Sequence, residues 1–215
     1  MDVWCLAFTP INISELNKLT QLHPNQEDAH ILYTGFLEGF RLNYCGPRSR
    51  TDSKNLQSVI QNPEIAWEKV MNEIYCGRIS GPFLTRPISN LRCSPIGIVP
   101  KKTGGFSLIT HLSFPPNFSV NDYVDKKFTS VKYSSFDNAI NMIKNLGVNA
   151  LIGKKDSNQL FDCCQYILTI LIYWALNLVH IFFIDKCLPM GYWESCSLFE
   201  IFSTFVQWVI MKESE

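Results

Sequence analysis

The stretch from Asp162 to Asp185, DCCQYILTILIYWALNLVHIFFID, constrains this chain more than any other. From Cys163 to Ile184 it carries no Asp, Glu, Lys or Arg. About 20 apolar residues suffice to cross a bilayer as a helix. One expectation is therefore a single-pass membrane protein anchored by residues 163–184. Lys154 and Lys155 would then mark the cytoplasmic side, and Gln165, Thr169, Asn177 and His180 weaken the span without forbidding it. Outside a membrane, the same residues form a helix by default and expose an apolar surface prone to aggregation.

The rest of the chain does not look like a membrane protein. Its 215 residues are enough for one substantial core, or for one domain with an extended arm. Nineteen Lys and Arg balance nineteen Asp and Glu, so net charge gives no reason to expect nucleic acid or anionic lipid. The balance is local, however: Arg41 to Gly105 holds ten Lys/Arg against four Asp/Glu. This stretch suits a solvated mixed surface as well as a phosphate-facing one. The eight cysteines form no CxxC pair and lack histidines at zinc-finger spacing. MDVWCLAF has no basic region ahead of its short apolar patch, so secretion is not expected. Scattered thiols without such a signal fit a reducing compartment, cytoplasmic or nuclear, without disulfides or zinc.

Local signals punctuate the chain clearly. Ile31 to Leu42 is apolar but broken by Gly35 and Gly39, and Cys45 to Ser53 (CGPRSRTDS) reads as an exposed loop. Asn62-Pro63-Glu64 opens a helix whose stripe is Ala66, Trp67, Val70, Met71 and Ile74, ended by Gly77. Ser134-Ser135-Phe136-Asp137 opens a second, with Phe136, Ile140, Ile143 and Leu146 as its stripe and Gly147 as its stop. Both stripes are expected to face a core. Between them SPIGIVPKK and FSLITHL flank Thr103-Gly104-Gly105, the pattern of a hairpin with Lys101 and Lys102 at its tip. A lysine pair on a loop tip is most simply solvated.

Taken together, GFRLNYCGPRSRTDSKNLQS, GRISGPF, SPIGIVPKKTGGFSLITHLSFPPNFSVND and DKCLPMG…SCSLFEIFSTFVQW resemble the reverse transcriptases of retrotransposons. The nearest resemblance is to DIRS-like elements, which integrate with a tyrosine recombinase. It runs from about Ile11 onward, interrupted by the apolar run. It implies an α+β fold: a partial right-hand polymerase with an N-terminal arm, fingers and an incomplete palm, and no thumb. The Thr103 turn would be the fingers hairpin, with Lys101 and Lys102 meeting the triphosphate of an incoming deoxynucleotide. The family carries an arginine where this chain has Ser107, and a hydroxyl does not replace a cation there. Gly191, in LPMG, would approach nucleotide and template. Beyond it, GYWESC puts bulky Tyr192 and Trp193 where the family has small residues such as C-S-I-S.

Palm chemistry needs carboxylates that hold two Mg²⁺ ions to activate the primer hydroxyl and stabilise the leaving group. The resemblance makes Asp156 the first catalytic and metal-binding carboxylate, with Phe161 screening the sugar 2′ position. The other aspartates come from a Tyr-x-Asp-Asp turn beyond LPMG, and the chain contains no Asp-Asp dipeptide. RNA or DNA template–primer and deoxynucleotides would be partners of the ancestral enzyme. This chain is expected to lack polymerase activity and stable Mg²⁺ binding. A non-catalytic nucleic-acid-binding module built on the basic stretch is a further alternative.

The family's own palm segment, similar to D-I-K-S-A-F-R-L-L-P-I-H-P, is missing between Asp156 and DKCLPMG, although the spacing is preserved. Permitted codons for Ser157 to Leu178, read one base over, spell KSAFRLLPIHPNNFNLLGFKFS, in which two of every three bases are largely fixed by the protein sequence. Four segments are therefore expected. Residues 1–88 form the N-terminal arm and helices leading into the fingers, and 89–156 the fingers hairpin and start of the palm. Residues 157–181 are an out-of-frame apolar segment, and 182–215 a palm remnant with its following helix.

Overall fold

The computed structural model describes residues 9–131, 135–149 and 174–213, with side chains from Asn177 onward in the last stretch. Helix α1 (Ile13–Leu22) starts at Asn12, whose side chain accepts from the amides of Ser14 and Glu15. Helix α2 (Gln26–Glu38) repeats the device with Asn25, Glu27 and Asp28. Each cap satisfies amides that helix geometry leaves open. α2 runs through Gly35 and stops at Gly39, so only the second glycine breaks the apolar stretch.

The C-terminal helix α6 (Ser195–Glu213) closes over this pair. Phe202 meets Phe36 at 5.6 Å, and Trp208 stands edge-on to His23, at the α1–α2 corner, at 4.8 Å. Leu32, Phe36, Leu91, Leu112, Ile184 and Tyr192 lie at the centre of this first core.

The second core is built from short helix α3 (Gln57–Gln61), helix α4 (Pro63–Tyr75) and strands. α4 begins at Pro63 as expected, yet Asn62 does not cap it. Its side chain donates instead to the Ser58 carbonyl at 3.1 Å. Ala66 and Val70 are fully buried, while Trp67 and Met71 each keep more than a third of their surface exposed. The buried face is therefore narrower than the stripe.

Seven strands form two sheets among the described residues. The larger has the order β1-β3-β6-β7-β2, built from β1 (Thr51–Asp52), β2 (Ile79–Phe83), β3 (Arg92–Cys93), β6 (Trp174–Leu178) and β7 (Ile181–Asp185). The smaller is the hairpin β4 (Ile96–Pro100) with β5 (Phe106–Thr110). β1 lies inside the stretch expected as an exposed loop.

Two expectations fail here. Over Trp174–Asp185 the apolar run is neither a membrane helix nor a helix by default. It is an antiparallel hairpin, paired from Ala175↔Ile184 to Leu178↔Ile181 around Val179 and His180. β6 is the central strand of the larger sheet, paired with β3 on one edge and with β7 on the other. Residues 163–173 lie outside the described residues. Among those described, no helix is long and apolar enough to cross a membrane. The expected segment limit at 181/182 falls within this hairpin.

The second failure is α5 (Phe136–Leu146). Its ends follow the expected chemistry: Ser135 accepts from the Asn138 amide, and Gly147 closes the last turn. Its stripe nevertheless faces outward, with Phe136 81%, Leu146 70% and Ile143 38% exposed. Capping is local, whereas burial requires an opposing surface, and no residue of α5 is buried.

Candidate functional site

The β4–β5 hairpin is regular from Ile96↔Thr110 to Pro100↔Phe106. At its tip the Lys101 amide donates to the Gly105 carbonyl at 2.9 Å, and the Gly104 amide to the Lys101 carbonyl at 3.1 Å. Its base is anchored by side chains. Ser58 Oγ accepts from the Ile98 amide at 3.1 Å, and Asn55 Oδ1 from the Ile96 amide at 3.2 Å. Asn55 Nδ2 in turn donates to the Asn177 carbonyl at 2.7 Å. One amide side chain thus ties the two hairpins together.

The segment DKCLPMG is positioned by the opposite edge of the larger sheet. β7 pairs with β2 at Ile79↔Asp185, and the Lys186 amide reaches the Arg78 carbonyl at 2.9 Å. Asp185 Oδ1 accepts from the Cys187 amide at 3.0 Å. Asn121 clamps the turn that follows, donating to the Gly191 carbonyl at 2.8 Å and accepting from the Trp193 amide at 3.1 Å.

Between hairpin, α4 and DKCLPMG lies a cleft of about 500 Å³. Lys69, Glu73 and Arg78 border it on one side, Lys101 and Ser107 on the hairpin, and Asp185 at the end of β7 with Met190 in the turn beyond it. The Arg78 guanidinium is held at two points by Glu73, at 2.5 and 3.0 Å, so much of its charge is already answered.

Of the expected residues, the structure brings Lys101 to this cleft together with the chain around LPMG. Lys102 is exposed at the tip and does not border it. Gly191 lies beside the hairpin base instead: a Cβ there would stand 3.3 Å from the Thr110 carbonyl. Asp156 and Phe161 lie outside the described residues. Glu73, Arg78 and Asp185 were not foreseen as site residues. Arg78 and Asp185 belong to GRISGPF and DKCLPMG, but the Glu73–Arg78 contact spans a helix end that periodicity does not reveal.

Part of the basic stretch is engaged internally, while Arg41, Arg48 and Lys54 are exposed. Arg50 and Arg86 both engage Asp52, and buried Arg92 donates to the Phe118 carbonyl. Lys101 and Lys102 remain on the surface of the hairpin.

A second cleft, of about 630 Å³, lies between α2, residues 127–130 and the start of α6. Its floor is buried Glu194, which accepts from the Asn43 amide, the Asn43 side chain and the Tyr192 hydroxyl. Burial pushes the Glu194 carboxyl above its ordinary range, and the Asn43 and Tyr192 hydrogen bonds partly offset this. Burial likewise pushes the Tyr192 hydroxyl up, and drives the Cys93 thiol to about 11.

The described carboxylates do not fit a two-metal centre. Asp185 borders the cleft, Glu73 is bound to Arg78, and no three metal-ligating side chains converge among the described residues.

No family model matches the sequence, and no curated protein matches it. Among solved structures, the chain is similar to the native prototype foamy virus protease–reverse transcriptase. The identity is 13%, over 89% of this chain and 26% of that one, with a TM-score of 0.45. It is also similar to the foamy viral protease–reverse transcriptase dRH in complex with double-stranded DNA. There the identity is 14%, over 93% of this chain and 36% of that one, with a TM-score of 0.46. The chain thus spans well under half the length of these proteins.

Proposed function

We propose that this chain derives from the reverse transcriptase of a DIRS-like retrotransposon and lacks polymerase activity itself. The ancestral reaction is RNA-templated DNA synthesis by two-metal phosphoryl transfer, with Mg²⁺, a template–primer and deoxynucleotides. The observation that carries this reading is the cleft. Lys101 and Ser107, on a glycine-turned hairpin, share one cavity with Asp185 and Met190 of DKCLPMG, far away in sequence. Cationic hairpin tip and palm-side carboxylate face a common space of nucleotide size.

Inactivity rests on the same residues. Ser107 supplies no charge to a triphosphate, and residues 1–215 hold no Asp-Asp dipeptide to complete the metal cluster. The Val179-His180 turn supports the lost-base origin of the preceding segment. Both residues have positive φ, a demand that Asn and Gly meet in selected hairpins.

The encoding DNA tests the descent. Read one base over across codons 157–178, it should spell the KSAFRLLPIHP segment, and any other reading there ends the lost-base account. Primer extension tests the inactivity: purified chain with RNA template, primer, Mg²⁺ and deoxynucleotides should add no nucleotide. Extension above a no-protein control would overturn it.

A further inference from the structure

The second cleft, between α2, residues 127–130 and the start of α6, shares no residue with the one at the hairpin. Its volume of about 630 Å³ falls within the roughly 300–1,000 Å³ of small-molecule sites. At its floor Glu194 is only 4% exposed. Oε2 accepts from the Asn43 amide at 3.0 Å and the Tyr192 hydroxyl at 3.2 Å, and Oε1 from the Asn43 side chain. All three donors are neutral. A carboxylate offers about four acceptor directions, so Oε1 keeps one open. Buried charges are ordinarily paired, and among the described residues no cation lies against this one. Lys127, in the same lining, is drawn to Asp125 at 3.6 Å and over the Phe128 ring at 4.6 Å. The hydroxyls of Ser197 and Thr34 also line the cleft and already donate, to the Phe128 carbonyl at 2.6 Å and the His30 carbonyl at 2.7 Å. Each therefore has only lone pairs left to present. Ile31, Leu198 and Ile201 supply apolar walls, and Glu27 and Glu38 add negative charge on the α2 side.

We propose that this cleft binds a small organic cation, a primary ammonium on an apolar body, with Glu194 as its counter-charge. The ammonium is a donor of three hydrogen bonds with no acceptor of its own, which suits a floor that offers a carboxylate and two hydroxyl oxygens. Its charge holds Glu194 in the ionised form that burial alone disfavours. The apolar body lies along Ile31, Leu198 and Ile201. An anion would meet Glu27, Glu38 and Glu194 together, and a neutral alcohol would leave the buried carboxylate without its counter-charge. The site stands independently of the polymerase reading.

Titration calorimetry of the full chain at low salt and neutral pH tests this, with phenethylammonium as the cation and phenethyl alcohol as its neutral counterpart. The expected result is one saturable site for the cation and none for the alcohol over the same concentrations. Glu194→Gln keeps an oxygen to accept from Asn43 and removes the charge, so it should weaken cation binding about tenfold or more. Thr34→Phe, on a half-buried position of α2, fills part of the cavity with Glu194 intact and should weaken binding as well. Far-UV circular dichroism matching the wild type establishes that each variant is folded. No saturable binding of the cation, equal binding of the alcohol, or an unchanged affinity in folded Glu194→Gln would each overturn the proposal. If Glu194→Gln does not fold, Thr34→Phe decides alone, and an unchanged affinity there overturns it.

Discussion

The two antiparallel hairpins of this molecule invite comparison. β4–β5 and β6–β7 have strands of equal length, but their turns differ in kind. The first bends through Gly104 and Gly105, at φ +90° and +76°, where no side chain opposes the geometry. The second bends through Val179 and His180, at φ +53° and +64°. For residues with a Cβ, that region costs roughly 1–2 kcal/mol each. The second hairpin forms all the same, because its strands occupy the middle of the larger sheet, with Phe183 and Ile184 fully buried. In the first hairpin local chemistry and tertiary packing agree; in the second, packing overrides a turn that resists it.

The comparison breaks most readily at the buried anchor. Phe183 is fully buried and meets Trp67 at 5.9 Å. Phe183→Ala should lower stability in urea by about 3–5 kcal/mol, the range for large aromatic truncations. Ile98→Ala, at the matching buried site of the first hairpin, should cost about 2–4 kcal/mol. If Phe183→Ala costs less than Ile98→Ala, burial is not what holds the second hairpin.

The turns sharpen the contrast with opposite signs. Val179→Asn with His180→Gly should raise stability by about 1–2 kcal/mol, by relieving two left-handed residues. Gly105→Val should lower it by a similar amount. Nothing lies within 4 Å of a Cβ at Gly105, so that loss would be purely conformational. Matching changes in urea midpoint, one up and one down, would show that only the turn chemistry differs.

The same distinction governs what could be read from the letters alone. The β4–β5 hairpin, the ends of α5 and the start of α4 follow from glycine, proline and serine chemistry acting within a few residues. Lys101 sits at the end of that hairpin because it belongs to such a local signal. The strand nature of Trp174–Ile184 was not legible, since a central strand and a membrane helix share one composition. Nor was the exposure of Phe136 and Leu146, because periodicity identifies a face that could be buried without supplying the surface that buries it. Asp185 and Arg78 entered the cleft through long-range pairing, which no local pattern reports.

At the cleft, the first hairpin offers a test of the proposed nucleotide site. Ser107 is half-buried opposite Val99 and borders the cavity near Lys101. Ser107→Arg should tighten binding of a fluorescent deoxynucleotide about tenfold, equivalent to about 1.4 kcal/mol. Adding salt should erase most of the gain, as expected for a charge–phosphate contact. An unchanged affinity would mean that this cavity does not receive the phosphates.

Glu194 poses the smallest conflict of the same type, a carboxyl in a buried position that hydrogen bonds from Asn43 and Tyr192 help to make tolerable. Burial raises its folded-state pKa above the ordinary 4.5. A carboxyl raised in this way favours the fold while protonated. Its contribution is fully present below the unfolded value and is lost as pH rises through the folded value. Glu194→Gln cannot ionise, so the difference in urea stability between variant and wild type should move in the variant's favour with rising pH. The shift should be on the order of 1 kcal/mol or less, because hydrogen bonds from Asn43 compensate part of the desolvation. Taking the difference cancels every other carboxyl, including Asp52, which Arg50 and Arg86 hold below its usual range against its own burial. A pH-independent difference would place Glu194 with the well-matched residues of the first hairpin rather than with the strained turn of the second.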